Sequence, residues 1–195
     1  MAVHQSSPLC PPPGLLLLLI GVISSHLPEI QARPADFWCN SQARKNMGNK
    51  IEGLKKDTVK NHADCVGSDL LSSPVQIPCV WIHVAEWANK TLQQKREEVV
   101  GSLQMFQDGV LRVMNETRLQ CQTSRLREVG HHISNYLAIV SRLQIQEDQV
   151  MPPDSTVQRC SSQTSLNKVL ELFRMLLKGK LERLAIDLQD GICRA

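Results

Sequence analysis

Residues 166–193 read LNKVLELFRMLLKGKLERLAIDLQDGIC. Within them Leu166, Val169, Leu170, Phe173, Leu176, Leu177, Leu181, Leu184 and Leu188 recur at three- and four-residue steps, the spacing of one face of an α-helix. Arg174, Lys178, Lys180 and Arg183 fall on the opposite side, where an amphipathic helix keeps its charges in water. A helix of roughly 25 residues is about 37 Å long. It exposes its apolar stripe unless helices of similar length pack against it.

The chain upstream supplies three. Leu126, Val129, Ile133, Leu137 and Val140 predict a helix that follows a short link at Asn115 to Gln120 and ends near Leu143. Leu92, Arg96, Val99, Leu103, Phe106, Val110 and Val113 predict another from about Thr91 to Met114. Arg96 is the one polar member of that series and lies near the helix start, where its head can reach solvent. A weaker pattern, Ala43, Met47, Ile51, Leu54 and Thr58, predicts the first helix from Asn40 to Val59. Gly48 and Gly53 each cost it about 1 kcal/mol relative to Ala. The periodicity fails from Lys60 to Lys90, around Pro74 and Pro78, and again from Gln144 to Thr164, around Pro152 and Pro153. Both are long connections, the first with a short extended piece expected at Val75 to Val80.

One short link between two long connections restricts the topology. The short link makes the second and third helices antiparallel, whereas the long ones let the first run parallel to the second and the third parallel to the fourth. The expected fold is all-α, the long-chain four-helix bundle of the growth hormone and cytokine class, up-up-down-down with two long crossover loops. In that order Cys39, opening the first helix, and Cys193, closing the fourth, share one pole. Cys65 and Cys121 share the other. Geometry therefore proposes Cys39–Cys193 and Cys65–Cys121, and leaves Cys79 and Cys160, one in each crossover, where loops running along the bundle can meet. A bridge from Cys39 to Cys193 closes nearly the whole domain into a loop, worth about 5 kcal/mol in the chain-entropy model.

Ahead of the bundle, Leu15 to Ile23 form an apolar run too short to span a bilayer and suited to a signal-peptide core. Cleavage is expected between Ser25 and Arg33, giving a leader at 1–32 and a cytokine-type domain at 33–195. Cys10 leaves with the leader, so seven cysteines become six, an even count that fits three disulfides in a secreted, extracellular protein. Losing Glu29 and no Lys or Arg raises the formal charge by one unit from +3. That mild basicity suits an acidic protein surface. It is not interleaved with aromatic residues, so no nucleic-acid partner is expected. No other apolar stretch approaches spanning length, and no membrane insertion is expected.

Catalysis finds no support. H-E-x-x-H, G-x-S-x-G and a phosphate-cradling glycine loop are all lacking, and no cofactor is implied. The cysteine spacing contains no C-x-x-C, which argues against zinc. His131 and His132 are adjacent on a helix and point about 100° apart, so they cannot chelate one ion together. Asp187 and Asp190 read as solvent-facing charges. The sequons at Asn89 and Asn115 fall at the two ends of the second helix, where glycan is tolerated.

Gly179 stands out inside an otherwise strong helix, because a glycine there is easiest to understand if a partner approaches the backbone. With Arg174, Lys178, Lys180 and Arg183 it marks a candidate receptor-binding strip. The order of leader, Cys39, a Trp-led second helix and Leu176-Leu177-Lys178-Gly179-Lys180-Leu181 closing on Cys193 resembles the erythropoietin and thrombopoietin family of haematopoietic cytokines. Cys65 with Cys121, Glu86-Trp87 and Val99-Val100-Gly101 are similar to the thrombopoietin branch. Cys79 and Cys160 have no counterpart in the family pattern, Glu182 stands where the thrombopoietin branch has a base, and Asn40 and Gln42 replace its acid and base on the first helix.

The resemblance implies a monomeric ligand that brings together two copies of a class I cytokine receptor, Mpl-like, and activates JAK-STAT signalling to promote thrombocyte and megakaryocyte production. It implies a higher-affinity site on the fourth helix with the first crossover, including Lys178 and Lys180, and a weaker one on the first and third helices. An erythropoietin-type hormone acting on erythroid progenitors is the alternative within the class. A helical disulfide-rich lipid-binding or antimicrobial protein is the alternative outside it, and would need shorter helices and cysteines paired close in sequence.

Overall fold

Three of the expected helices begin at residues whose side chains satisfy the free N–H groups of the first turn. Asn40 Oδ1 accepts from Ala43 N at 3.0 Å. Thr91 and Gln94 form a reciprocal capping box. Ser165 Oγ accepts from Lys168 N. The structure is a computed structural model and describes residues 34–60, 69–145 and 157–193. The leader at 1–32, Cys65, Pro152 and Pro153 lie outside the described residues.

A short helix α1 (Pro34–Cys39) leads into α2 (Ser41–Lys60), the first bundle helix. Strand β1 (Leu70–Pro78) and a small helix α3 (Val84–Ala88) occupy the first crossover. The second and third bundle helices are α4 (Leu92–Glu116) and α5 (Gln120–Ser141). Strand β2 (Arg159–Ser165) then feeds the fourth, built as α6 (Leu166–Leu176), a π-helical turn (Leu177–Leu181) and α7 (Glu182–Ile192). Each expected helix is present, with boundaries within a few residues of the sequence pattern.

Contacts at the two poles give the direction of each helix. Cys39 is bonded to Cys193, joining the start of the first helix to the end of the fourth. Arg96 donates to Val140 O and Ser141 O, so the second helix starts where the third ends. At the other pole Gln122 donates to Leu70 O, and Leu166 N to Asp69 O. Two helices therefore ascend and two descend. Cys121 is disulfide-bonded as well.

The crossovers are more ordered than the sequence suggested. β1 is longer than the extended piece expected, and it pairs antiparallel with β2, whose polar sequence carries no strand signal. Leu70 lies opposite Ser165 and Pro78 opposite Arg159. Leu71, Val75 and Ile77 are buried from one face of β1, while most of β2 is exposed, so β1 anchors the ribbon. It lies against α4, where a Cβ on Gly109 would meet Val75 Cγ1 at 2.6 Å.

The apolar series read from the second, third and fourth helices line the core, with Leu92 and Leu137 at its margin. Phe37, Trp38, Tyr136, Phe173 and Phe106 form a chain of edge-to-face rings through it. Phe37 and Trp38 precede the first predicted helix and belong to α1, which the periodicity did not reveal. On the first helix Met47, Ile51 and Leu54 pack inward as expected, and the Thr58 side chain lies outside the described residues. Arg44 was not expected inside, yet it is 6 % exposed, donating to Phe37 O and Trp38 O and pairing with both Glu182 oxygens. The cation satisfies carbonyls of α1 that the helices leave unpaired.

The glycines of this fold separate by sign. A Cβ at Gly48 or Gly53 would meet nothing within 4 Å, so Gly48→Ala or Gly53→Ala is expected to raise stability by about 0.5–1 kcal/mol. Gly109→Ala forces a stiff, buried β-branched side chain aside and is expected to lower it by about 1 kcal/mol or more. Urea unfolding of the three variants checks both signs.

Candidate functional site

The fourth helix departs from α geometry where its sequence is most distinctive. Between Leu177 and Leu181 the backbone forms a π turn, and Glu182 N–H bonds to Leu177 O five residues back. The extra residue widens the buried arc, so that Leu176, Leu177, Lys180, Leu181, Leu184 and Ala185 all face inward. The water-facing place expected for Lys180 is corrected: at about 100° per residue it falls between Leu176 and Phe173, inside the apolar arc even of a regular helix, and only its charge suggested solvent. Lys180 is 5 % exposed, 2.6 Å from Glu98 Oε1 on α4, and donates to Cys79 O in the first crossover.

That lysine belongs to a charge network joining three elements. Lys90 bridges Glu86 at 2.5 Å and Glu98 at 2.7 Å. Burial alone would lower the Lys90 pKa, but hydrogen bonds to Glu86 and Glu98 outweigh it and leave it raised. The same lysine lowers the carboxyl of Glu86. About two turns beyond Lys180, on α7, Asp187 accepts from Trp87 Nε1 at 2.9 Å and from Lys95 Nζ at 3.0 Å. Lys95 lies over the Trp87 ring at 5.7 Å. The first crossover is thus fixed to the second and fourth helices by partnered charges.

Above the network is a cleft of about 410 Å³, lined among others by Cys79, Cys160, Trp81, His83, Trp87 and Lys180. Beside it Trp81 is 60 % exposed and Val84 71 %. Leu70 at 71 % and Leu119 at 53 % are exposed elsewhere on the surface, so what sets Trp81 and Val84 apart is their place beside the cleft on an anchored segment. Neither residue was singled out from the sequence, because the crossover has no periodicity against which an outward apolar residue registers.

The five strip residues do not act as one strip. Lys178 and Arg183 are exposed and Arg174 is half-buried. Arg183 lies 3.7 Å from Asp187, on the side of the crossover, whereas Lys178 lines a groove of about 500 Å³ with Lys45, Gly48, Tyr136 and Glu182. Gly179 does meet an approaching backbone, but it is the chain's own: a Cβ there would lie 3.6 Å from Val80 O. His131 is exposed and His132 half-buried, and burial lowers the His132 pKa. Among the described residues no three potential ligands gather as a metal site, and no helix is long and apolar enough to cross a membrane. Asn89 and Asn115 are exposed. Cys79 is bonded to Cys160, as the leftover pair required.

Four helices in this order, closed by a first-to-last disulfide and strapped by two paired crossovers, define a long-chain cytokine-type bundle. The erythropoietin/thrombopoietin family model matches residues 53–195. The chain belongs to that family. It is 26 % identical to dog thrombopoietin over 123 residues, 63 % of this chain and 33 % of that protein. It is 22 % identical to rat thrombopoietin over 146 residues, 73 % of this chain and 43 % of that protein. With mouse thrombopoietin it shares 26 % over 81 residues, 42 % and 23 % of the two chains. The chain thus spans less than half the length of the curated relatives it matches.

Two outcomes follow for the site. Lys180→Glu places a carboxylate beside Glu98 and is expected to cost about 3 kcal/mol or more, as for a broken buried ion pair. Lys178→Glu is expected to leave the melting temperature within about 2 °C, as for an ordinary surface substitution. Thermal melts of both variants decide this. For pH, the hydrogen bond from Arg44 holds the Glu182 carboxyl below the usual range. Its contribution is therefore complete above the ordinary pKa of about 4.3 and is lost as pH falls through the lower folded value. Glu182→Gln should flatten that acid limb in melts between about pH 5 and 2.

Proposed function

We propose that this protein is a secreted haematopoietic cytokine of thrombopoietin type, which engages two class I cytokine receptor chains and activates receptor-bound Janus kinases and STAT signalling. Residues 1–32 act as the leader, and the Cys39–Cys193 and Cys79–Cys160 bridges suit the oxidising compartment that a secreted chain passes through. The observation that carries the reading is the anchored crossover, which presents Trp81 and Val84 outward while ion pairs tie it to the fourth helix.

The higher-affinity receptor site then comprises that crossover together with Arg183 of the fourth helix. Lys180 supports it from beneath rather than touching the receptor. The weaker site lies on the first and third helices, and Lys178, in the groove beside the first helix, faces away from the crossover. Relatives titled thrombopoietin favour the thrombocyte and megakaryocyte lineage over the erythroid one. A monomeric ligand with two unlike faces brings two receptor chains together without dimerising itself.

The test is proliferation of factor-dependent cells carrying either the thrombopoietin receptor or the erythropoietin receptor, treated with refolded protein. Growth of the first line alone is expected. Growth of the second alone would transfer the protein to the erythroid hormone, and growth of neither, with leakage from dye-loaded liposomes, would replace the cytokine reading altogether.

A further inference from the structure

We propose that the Cys79–Cys160 disulfide is a positioning device for receptor docking: beyond the loop-closure stabilisation that such a bridge gives the fold, it holds the Val80–Val84 segment in its binding conformation. The proposal rests on the crossover being the higher-affinity receptor site.

The location of the bond carries the argument. The β1–β2 ladder slips register between Ile77 and Pro78 and ends there. One main-chain bond follows, Cys79 N to Gln158 O at 3.0 Å. From Val80 to His83 the chain has left the ladder and has not yet entered α3, and the exposed Trp81 lies in that interval. A two-stranded ribbon is marginal by itself, and its end is where it opens first. The disulfide closes this end, two residues before Trp81.

Cys79 is thereby fixed from two sides, its sulfur to the second crossover and its carbonyl to Lys180 on the fourth helix. Val80 is buried and Ile82 packs against the core, so burial holds the segment from beneath, and the two bonds at Cys79 fix the rotation at which the chain enters it. The bundle has independent fastenings: Cys39–Cys193 joins the outer helices, and Leu71, Val75 and Ile77 bury β1 upstream of Cys79. Cys160 lies on β2, which contributes almost nothing to the core. Cutting the bond therefore loosens the docking segment and spares the helices. A receptor that binds only the ordered conformer then sees an affinity reduced by the fraction in which that conformer is populated.

The experiment compares the full chain with the Cys79→Ser/Cys160→Ser double variant. The expected result is unchanged helix content by circular dichroism at 25 °C, a melting temperature lowered by about 10 °C as loss of so long a loop closure implies, and a dissociation constant for the receptor ectodomain raised at least tenfold. Hydrogen exchange provides a readout that needs no receptor: amides of Val80 to Trp87 should exchange faster in the variant while those of α4 and α5 do not. Trp81→Ala, made alone and in the double variant, should show losses that overlap rather than add, since both act through one contact. An affinity within twofold of the natural chain, or unchanged exchange at Val80 to Trp87, would overturn the proposal. So would fully additive losses, or a variant that loses its helices or fails to fold, since the bond would then be structural. If the natural chain binds neither receptor, the receptor reading itself falls, and exchange still reports whether the bond orders the segment.

Discussion

The structure depends on burying the apolar stripe of the fourth helix. Leu166, Val169, Phe173, Leu176, Leu184 and Leu188 are all almost completely removed from water, and each such side chain is worth about 1.5–3 kcal/mol on burial. Among the described elements none offers so continuous a face. Its two ends are also the points at which the rest of the molecule is tied. Cys193 holds the start of the first helix. Asp69, arriving from the first crossover, accepts from Asn167 N and from Ser165 Oγ at the opposite end, placing a carboxylate where the helix dipole favours it.

The first crossover completes the core by burying Leu71, Val75, Ile77, Val80 and Trp87, and it turns other side chains outward. The two crossovers pair with each other, lie along α4 at the glycine that admits Val75, and are held at the far pole by ion pairs and a disulfide. Charges in this region are buried only with partners: Lys180 with Glu98, Lys95 with Asp187, Arg44 with Glu182. Such pairs add little net stability against an apolar alternative. Their effect is to fix which surfaces face outward. Among the outward residues are the apolar Trp81 and Val84.

The helices were legible from their own residues because amphipathic periodicity is a local signal, and it located all four bundle helices. Loop lengths then restricted the topology, and the topology paired Cys39 with Cys193 and left Cys79 for Cys160. The site was legible only in part. Arg174, Lys178, Gly179, Lys180 and Arg183 were grouped as one strip by charge, and Lys180 was assigned to the solvent side although its helical spacing puts it among the buried leucines. Arg44 was similarly hidden, since its partners, Glu182 and two carbonyls of α1, are remote from it in sequence or lie in a helix too short to show a period.

The sequence by itself determined the number, order and inner faces of the helices, because side-chain spacing along one helix is enough to define a stripe. It also placed Cys39 and Cys193 at one pole, where they are bonded. Tertiary structure alone decided the β-ribbon, the outward turn of Trp81 and the partners of Lys180. β2 forms because main-chain groups of β1 are there to pair with it, whatever its side chains. Lys180 stays on the inner face, where helical spacing puts it, because Glu98 and Cys79 O are there to partner its charge. Such interactions join residues about eighty to a hundred positions apart, and no local pattern in a chain encodes them.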